Sequence, residues 1–377
     1  MQPKSLEFSD LYIACRDGDF YLVEGLLASM SVEQINSIEF DGSTPLHIAS
    51  SNGHARIVEL LLNTEVVSRS FRNQYNLTAY DEAQSEEIRR LFKRKNGAAR
   101  FCDGMQDQGI QIEWMKADPS VQQVVAWELK NHKWPWHKKP GLDEWVNCIR
   151  QKYLDGSLKD MKGIGLIRFF YQNAQATNDP VQLIRAYTAE TQYYKILNER
   201  LAQLHELHES DNWWGHQDLL DIMLSHPSLD RFTYIGTTYR GMRIMQHDLK
   251  LYSVGTSLMN KAFLSTSKDR AVAEAFGDSC GIQDGKFSAI CTYEIRKPRS
   301  ALEGPIQLFD NDFIDHNLKI QNDYVIFKMH YIEIISEYAH EREVLLNPYI
   351  LFQVKRVTRK NTVNKDTVFE IELAECD

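Results

Sequence analysis

The first hundred residues repeat themselves. Ala14, Gly18 and Leu26-Leu27 return 35 positions later as Ala49, Gly53 and Leu61-Leu62, and Thr44 and Ala49 return 34 positions later as Thr78 and Ala83. A period of this length fits one helix-turn-helix unit, and a unit that cannot bury its apolar face alone has to stack on a copy of itself. Residues 6–96 are therefore expected to form an α-helical solenoid of three units, the outer two degenerate as capping units are.

Asp41 to Asn63, DGSTPLHIASSNGHARIVELLLN, is the clearest unit and resembles an ankyrin repeat. Pro45 suits the first turn of a helix, where its missing N–H costs nothing, and Gly53 frees the turn between two helices from a Cβ. His47 and His54 read as residues that bond the turns in preference to metal ligands. Ankyrin stacks bind other proteins, so a protein partner and packing against the rest of the chain are both open readings.

At 377 residues the chain exceeds one ordinary core, and two or three domains are expected. With 43 basic and 52 acidic residues, a net charge of -9 argues against nucleic-acid binding by bulk electrostatics. The opening MQPKSLEFSD lacks a signal-type apolar run, and no segment approaches the roughly 20 apolar residues of a membrane span. A soluble, cytoplasmic protein with no membrane partner is expected. Six cysteines, Cys15, Cys102, Cys148, Cys280, Cys291 and Cys376, include no Cys-x-x-Cys, so neither a disulfide scaffold nor a zinc site is indicated.

Between the repeats and the C-terminal half, Arg89 to Arg100 (RRLFKRKNGAAR) reads as a solvated basic helix end running into a linker. Residues 101–175 carry Trp114, Trp127, Trp134, Trp136 and Trp145 among helical stretches at Leu142 to Tyr153 and Leu158 to Ala174. At irregular spacing such aromatics supply core area. Gly163-Ile164-Gly165 lacks the third glycine and the strand of a dinucleotide fingerprint, and reads as a helix or turn feature. His205-Glu206-Leu207-His208 has the wrong spacing for a metalloprotease helix.

The chemistry lies further on, in three short pieces. Tyr239-Arg240-Gly241 offers a planar, permanently charged fork for phosphate oxygens. Phe263-Leu264-Ser265-Thr266-Ser267 offers hydroxyls that can orient a carboxylate or a ribose. Glu341-Arg342-Glu343 heads an apolar run, and on an extended strand residues i and i+2 share a face, so both acids would address one volume. In this order and spacing the pieces resemble the arginine-serine-glutamate class of ADP-ribosyltransferases, cholera-toxin-like and closest to the arginine-specific vertebrate-type enzymes. The resemblance runs over about half the chain, roughly Asp179 to Arg359. It includes the helical entry VQLIRAYTAETQYYKILNERLA, a short helix at Ala271 to Phe276, and SEYAHEREVLLNP at Ser336 to Pro348.

That resemblance implies an α+β fold of two packed β-sheets with helices, holding NAD in the cleft between the sheets. It divides the chain into ankyrin repeats at 6–96, a helical connector at 97–178, a catalytic domain at 179–360 and a tail at 361–377. Glu343 would stabilise the oxocarbenium-like ribose of NAD as nicotinamide leaves. Ser265 would orient Glu343, Thr266 and Ser267 would complete the polar wall, and Arg240 with Gly241 would bind the phosphate or ribose side. Phe276 would wall the nicotinamide, with core packing as its alternative. Glu341 would pair with an acceptor guanidinium and draw off its proton, and Tyr338 would stack on it or pack on the sheet. Residues 277–288, rich in Gly and Asp, look like the family's loop over NAD. Secreted relatives carry disulfides, and spacing leaves a pairing of Cys280 with Cys291 open.

The function implied is NAD-dependent transfer of ADP-ribose to arginine side chains of proteins, with nicotinamide released. Two alternatives stand beside it: an NAD glycohydrolase using the same site, and an interaction protein whose catalytic domain is inert.

Overall fold

A computed structural model gives the architecture, and it describes residues 8–39, 42–94, 114–121, 141–202, 214–246, 248–279, 286–297, 301–303, 336–361 and 367–376. The N-terminal unit is a stack of short helices at Asp10–Asp17, Phe20–Leu27, Val32–Ile35, Pro45–Ser51, Ala55–Asn63 and Glu86–Leu91. Ser9 caps the first by accepting from the Tyr12 N–H, and Gly18 closes it in the left-handed region at φ 78°. A Cβ on Gly18 would lie 2.7 Å from the His54 ring, so the glycine of one unit makes room for the histidine of the next. His54 in turn bonds the Arg16 carbonyl at 3.0 Å, and His47 bonds Thr44 Oγ1 at 2.8 Å and the Leu77 carbonyl at 3.1 Å. Both histidines tie turns together, as their positions in the repeat suggest. Leu11, Val23, Ala49, Val58, Leu61, Ile88 and Phe92 form the core of this stack.

A second core is wholly different in origin. The helices Leu142–Ile149, Ile164–Thr177, Val181–Thr188, Tyr193–Ala202 and Trp214–Ser225 pack together with a π-helical turn at Arg150–Ser157. Gly163, at φ 78°, opens the helix Ile164–Thr177, which is the turn feature its sequence suggests. Tyr171 and Tyr193 share a 2.6 Å hydroxyl bond inside this core. Phe263 and Leu345 join it from the sheet, and Asn198 donates to the Phe263 carbonyl at 3.1 Å. The helices thus grip the strand that carries the Ser-Thr-Ser run. The N-terminal stack touches the same layer: Val32 and Phe71 pack against it, Phe71 meeting Phe169 edge-on at 6.2 Å, and Lys162 pairs with Glu65.

Among the described residues, nine strands follow one hydrogen-bonded order, β1-β3-β8-β9-β5-β2-β4-β7-β6. They are β1 (Trp114–Lys116), β2 (Gly236–Met245), β3 (Ser257–Asn260), β4 (Leu264–Ser267), β5 (Lys286–Ile295), β6 (Ala301–Glu303), β7 (Glu343–Leu346), β8 (Leu351–Asn361) and β9 (Thr367–Glu375). Every residue of β2 pairs with β5, whereas β2 and β4 meet only at Tyr239 opposite Ser267. That single junction divides the strands into a larger and a smaller half, and the class is α+β as expected. Trp114 stacks on Tyr293 at 6.0 Å and meets Phe352 edge-on, so this tryptophan supplies core, and Trp145 packs against the helical core. Trp127, Trp134, Trp136 and the His205 to His208 segment lie outside the described residues.

Two expectations are corrected here. The stretch expected as a tail at 361–377 contains β9, which lies between β8 and β5 and pairs with β5 in the sheet's one parallel ladder among the described residues. Ile371 and Leu373 alternate inward there, fully buried. Nor do Glu341 and Glu343 share an extended strand. Glu341 ends a 3-10 turn at Ala339–Glu341, Arg342 takes a left-handed φ of 49°, and β7 begins only at Glu343. A non-glycine residue in that region costs of order 1 kcal/mol or more and breaks the side-chain alternation on which the shared face depends.

Candidate active site

Glu343 stands at the first position of β7, 3 % exposed, with its Cα opposite Ser267 of β4. Its Oε2 accepts from the Ser336 hydroxyl at 2.5 Å. The Ser336 oxygen also accepts from the Tyr338 backbone N–H at 3.0 Å, which turns its hydrogen toward the carboxylate. A charged acceptor bond of this kind fixes an acid that would otherwise rotate. The Ser336 hydroxyl thus orients Glu343 directly. Ser265 pairs with Leu345, two steps further along the ladder from the Ser267–Glu343 pair.

Arg240 lies on the face of β2 that also carries Met242 and Ile244, and it is 2 % exposed. A guanidinium in an apolar row costs several kcal/mol unless its donors are met. Its Nη1 donates to the Ser265 carbonyl at 2.9 Å, which ties β2 to β4 beside their single pairing point. Gly241, buried at the next position, is opposite Ile290.

Thr266 and Ser267 are committed to the fold. Thr266 Oγ1 donates to the Val344 carbonyl and Ser267 Oγ to the Glu341 carbonyl, each at 2.7 Å. By strand alternation Thr266 and Arg240 both fall on the sheet face opposite Ser267 and Glu343. Ser267 instead anchors the turn that presents Glu341. Phe276 falls within the helix Arg270–Ser279, and its side chain lies outside the described set, as do 280–285 of the Gly- and Asp-rich loop and Cys280. Cys291 is a buried thiol 3.4 Å from the Met242 sulfur.

Around Glu341 the ankyrin unit arrives. Arg94 Nε donates to both Glu341 oxygens, at 3.1 and 3.0 Å, and Arg94 Nη1 donates to Glu190 Oε2 at 2.8 Å. The Arg94 guanidinium lies 3.6 Å over the Tyr338 ring, whose hydroxyl donates to that same Glu190 oxygen at 2.6 Å. Burial works against the Arg94 charge, but Glu341, then Tyr338 and Glu190, outweigh it and hold the group more basic than usual. Arg94 belongs to the stretch expected to be solvated, and its side chain is 1 % exposed. Next to it Glu337 accepts from Ser68 Oγ at 2.9 Å, from the Arg69 N–H at 2.6 Å and from Ser70 Oγ, while its own N–H donates to Thr188 Oγ1. Arg69 adds a bond to the Tyr338 hydroxyl at 2.5 Å. His340 stacks on Tyr80 at 4.3 Å; burial, then Arg94 and Arg69, lower its pKa to about 4.

Of the residues marked in the sequence, Arg240, Ser265, Ser267 and Glu343 stand on the neighbouring strands β2, β4 and β7, with Arg240 joined to the set through the Ser265 carbonyl. Glu341 stands on the adjoining turn. Glu190, Arg94 and Arg69 carry no local signal, since each matters only through a partner far along the chain. The gap between the helices Val181–Thr188 and Tyr193–Ala202 is what sets Glu190 there.

The ankyrin-repeat family model matches residues 11–98 in three copies, and the N-terminal unit is an ankyrin array. No curated protein matches the chain. Among solved structures it is similar to the Vis toxin, an ADP-ribosyltransferase from Vibrio splendidus, at 17 % identity over 66 % of this chain and 91 % of that one, with a TM-score of 0.34. Exoenzyme S from Pseudomonas aeruginosa, solved with human 14-3-3 protein beta and carba-NAD, is similar at 17 % identity over 60 % and 88 %, with a TM-score of 0.34. The ADP-ribosyltransferase HopU1 of Pseudomonas syringae pv. tomato gives 12 % identity over 63 % and 98 %, with a TM-score of 0.34. No helix among the described residues is long and apolar enough to cross a membrane.

Proposed function

We propose that the chain transfers ADP-ribose from NAD to arginine side chains of proteins, as the arginine-specific ADP-ribosyltransferases it resembles do. One observation carries the reading: a buried glutamate, Glu343, fixed by Ser336 at the edge of the Ser-Thr-Ser strand, with Arg240 bonded across to that strand. NAD would supply a cationic leaving group and an electrophilic ribose carbon. Glu343, charged and unable to rotate, would stabilise the positive charge that grows on the ribose as the bond to nicotinamide lengthens. Arg240 would meet the phosphate or ribose side, with Gly241 admitting the backbone closely and Phe276 walling the nicotinamide. Glu341, beyond the left-handed Arg342, would receive the acceptor guanidinium and take its proton as the new bond forms from nitrogen to ribose. In this reading the catalytic unit runs to β9, and the protein works in the cytoplasm.

Glu341→Gln tests the division of labour. Transfer to a guanidino acceptor should fall by roughly a hundredfold or more while NAD cleavage by water persists. Equal loss of both activities would show that Glu341 serves the NAD side as well.

A further inference from the structure

A guanidinium already sits where the proposed reaction needs one. Arg94 reaches Glu341 from the ankyrin unit with both carboxylate oxygens engaged, lies on the Tyr338 face, and is held at its other end by Glu190. Carboxylate, aromatic face and second carboxylate are the groups that would bind any arginine offered to Glu341. From this we infer that Glu341, Glu190 and Tyr338 form a guanidinium subsite, that Glu190 is its second anchor, and that Arg94 fills it in cis as an internal stand-in for the acceptor. The inference rests on the reading of Glu341 as the acceptor carboxylate.

Three further facts support a stand-in over a target. The nitrogen placed on Glu341 is Nε, which already carries Cδ, while the terminal Nη1 is turned to Glu190. Arg94 is not alone in holding the turn: Glu337 accepts two serine hydroxyls and a backbone N–H from residues 68–70, so the ankyrin unit is clamped at the same point. Finally, two guanidinium groups cannot both occupy Glu341 without like charges in contact, so an external arginine has to displace Arg94. If Arg94 fills the subsite roughly nine-tenths of the time, the apparent affinity for an external guanidine drops about tenfold.

Agmatine, a small guanidino amine, is the probe. With the full-length chain and NAD, Arg94→Ala should lower KM for agmatine about tenfold or more with kcat little changed, and Glu190→Gln added to it should raise KM again. Without NAD, agmatine should raise the melting temperature of Arg94→Ala at concentrations about tenfold lower than those needed to shift the wild type. Arg94→Met, which keeps the apolar stem, repeats both measurements if the alanine variant does not fold. Equal KM in wild type and variant, or an agmatine shift of the same size in both, overturns the inference. If neither protein transfers to agmatine while both cleave NAD, the arginine reading has failed instead, and the melting shift still decides whether a guanidinium subsite exists.

Discussion

Arg94 Nε and the two oxygens of Glu341 lie 3.1 and 3.0 Å apart although 247 positions separate the residues. One belongs to the last turn of an ankyrin stack and the other to the turn before β7. The contact makes the N-terminal unit part of the architecture of the site, and it bears on how each acid responds to substitution.

Glu343→Gln should reduce NAD cleavage and arginine transfer together, by roughly a hundredfold or more, since both would pass through the same charged ribose. Steady-state nicotinamide release checks this. Wild-type hydrolysis in the variant would mean that the ribose-stabilising acid lies elsewhere.

Ser336 is a positioning residue, acting through its bond to Glu343. Ser336→Ala should lower kcat by about tenfold, the cost of one charge-assisted bond, and leave KM for NAD nearly unchanged. Ser336→Thr, which retains the hydroxyl, should recover most of the loss. A fall confined to KM would assign Ser336 to binding.

Replacing Glu337 with alanine leaves the Ser68 and Ser70 hydroxyls and the Arg69 N–H without a common acceptor in a buried setting. Lost bonds of this type cost on the order of 3 kcal/mol in sum, so Glu337→Ala should lower the urea midpoint clearly. Hydrogen exchange should rise first at residues 68–70. Unchanged exchange there would show that the clamp does not hold the two units together.

Acid should weaken the same junction through His340. Its pKa of about 4 in the folded chain lies below the ordinary 6.5, because burial, then Arg94, Arg69 and, least, Lys93 oppose its charge, while Asp81 favours it. Above about pH 6.5 the ring is neutral in both folded and unfolded states, and full stability is present. As pH falls through 6.5 the unfolded chain takes up the proton first, so stability is lost down to about 4 and then levels off. That gap corresponds to roughly 3 kcal/mol. His340→Phe, keeping the stack on Tyr80, should flatten this part of the curve; the same slope in both proteins would place the titration elsewhere.

Much of this was legible in the sequence, for reasons that differ by element. The ankyrin stack was readable because its signals are local: Pro45 at a helix start, Gly18 and Gly53 at positive φ, histidines bonding adjacent turns. The strands of Arg240, the Ser-Thr-Ser run and Glu343 are legible because each of these polar groups interrupts a locally apolar run, Met242 and Ile244 after Arg240, Phe263 and Leu264 before Ser265, and Val344 to Leu346 after Glu343. The break between Glu341 and Glu343 is not legible in the sequence, because the left-handed backbone of Arg342 is set by the turn and not by residue preference. β9 is hard to read in the sequence because Glu370, Glu372 and Glu375 punctuate its apolar residues like an exposed edge, while β8 and β5 pair with it on both sides. Arg94 looked solvated among Arg89, Arg90 and Lys93. Only a carboxylate met by tertiary folding distinguishes it.

The central place of β9 also sets a clock. β5 cannot complete its ladders until a strand about eighty residues later has been made, as Ser288 opposite Val368 shows. At the roughly 5–20 residues per second of synthesis, the ankyrin unit with Arg94 is finished on the order of half a minute before β9 leaves the ribosome. Its local contacts let it fold in that interval, whereas the sheet has to wait. The restraint would therefore be in place before the machinery it restrains, and a nascent chain would pass through no stage at which an open acceptor site is ready to act. Ribosome-arrested chains of increasing length, assayed for NAD cleavage, should stay silent until residue 375 is clear of the exit tunnel.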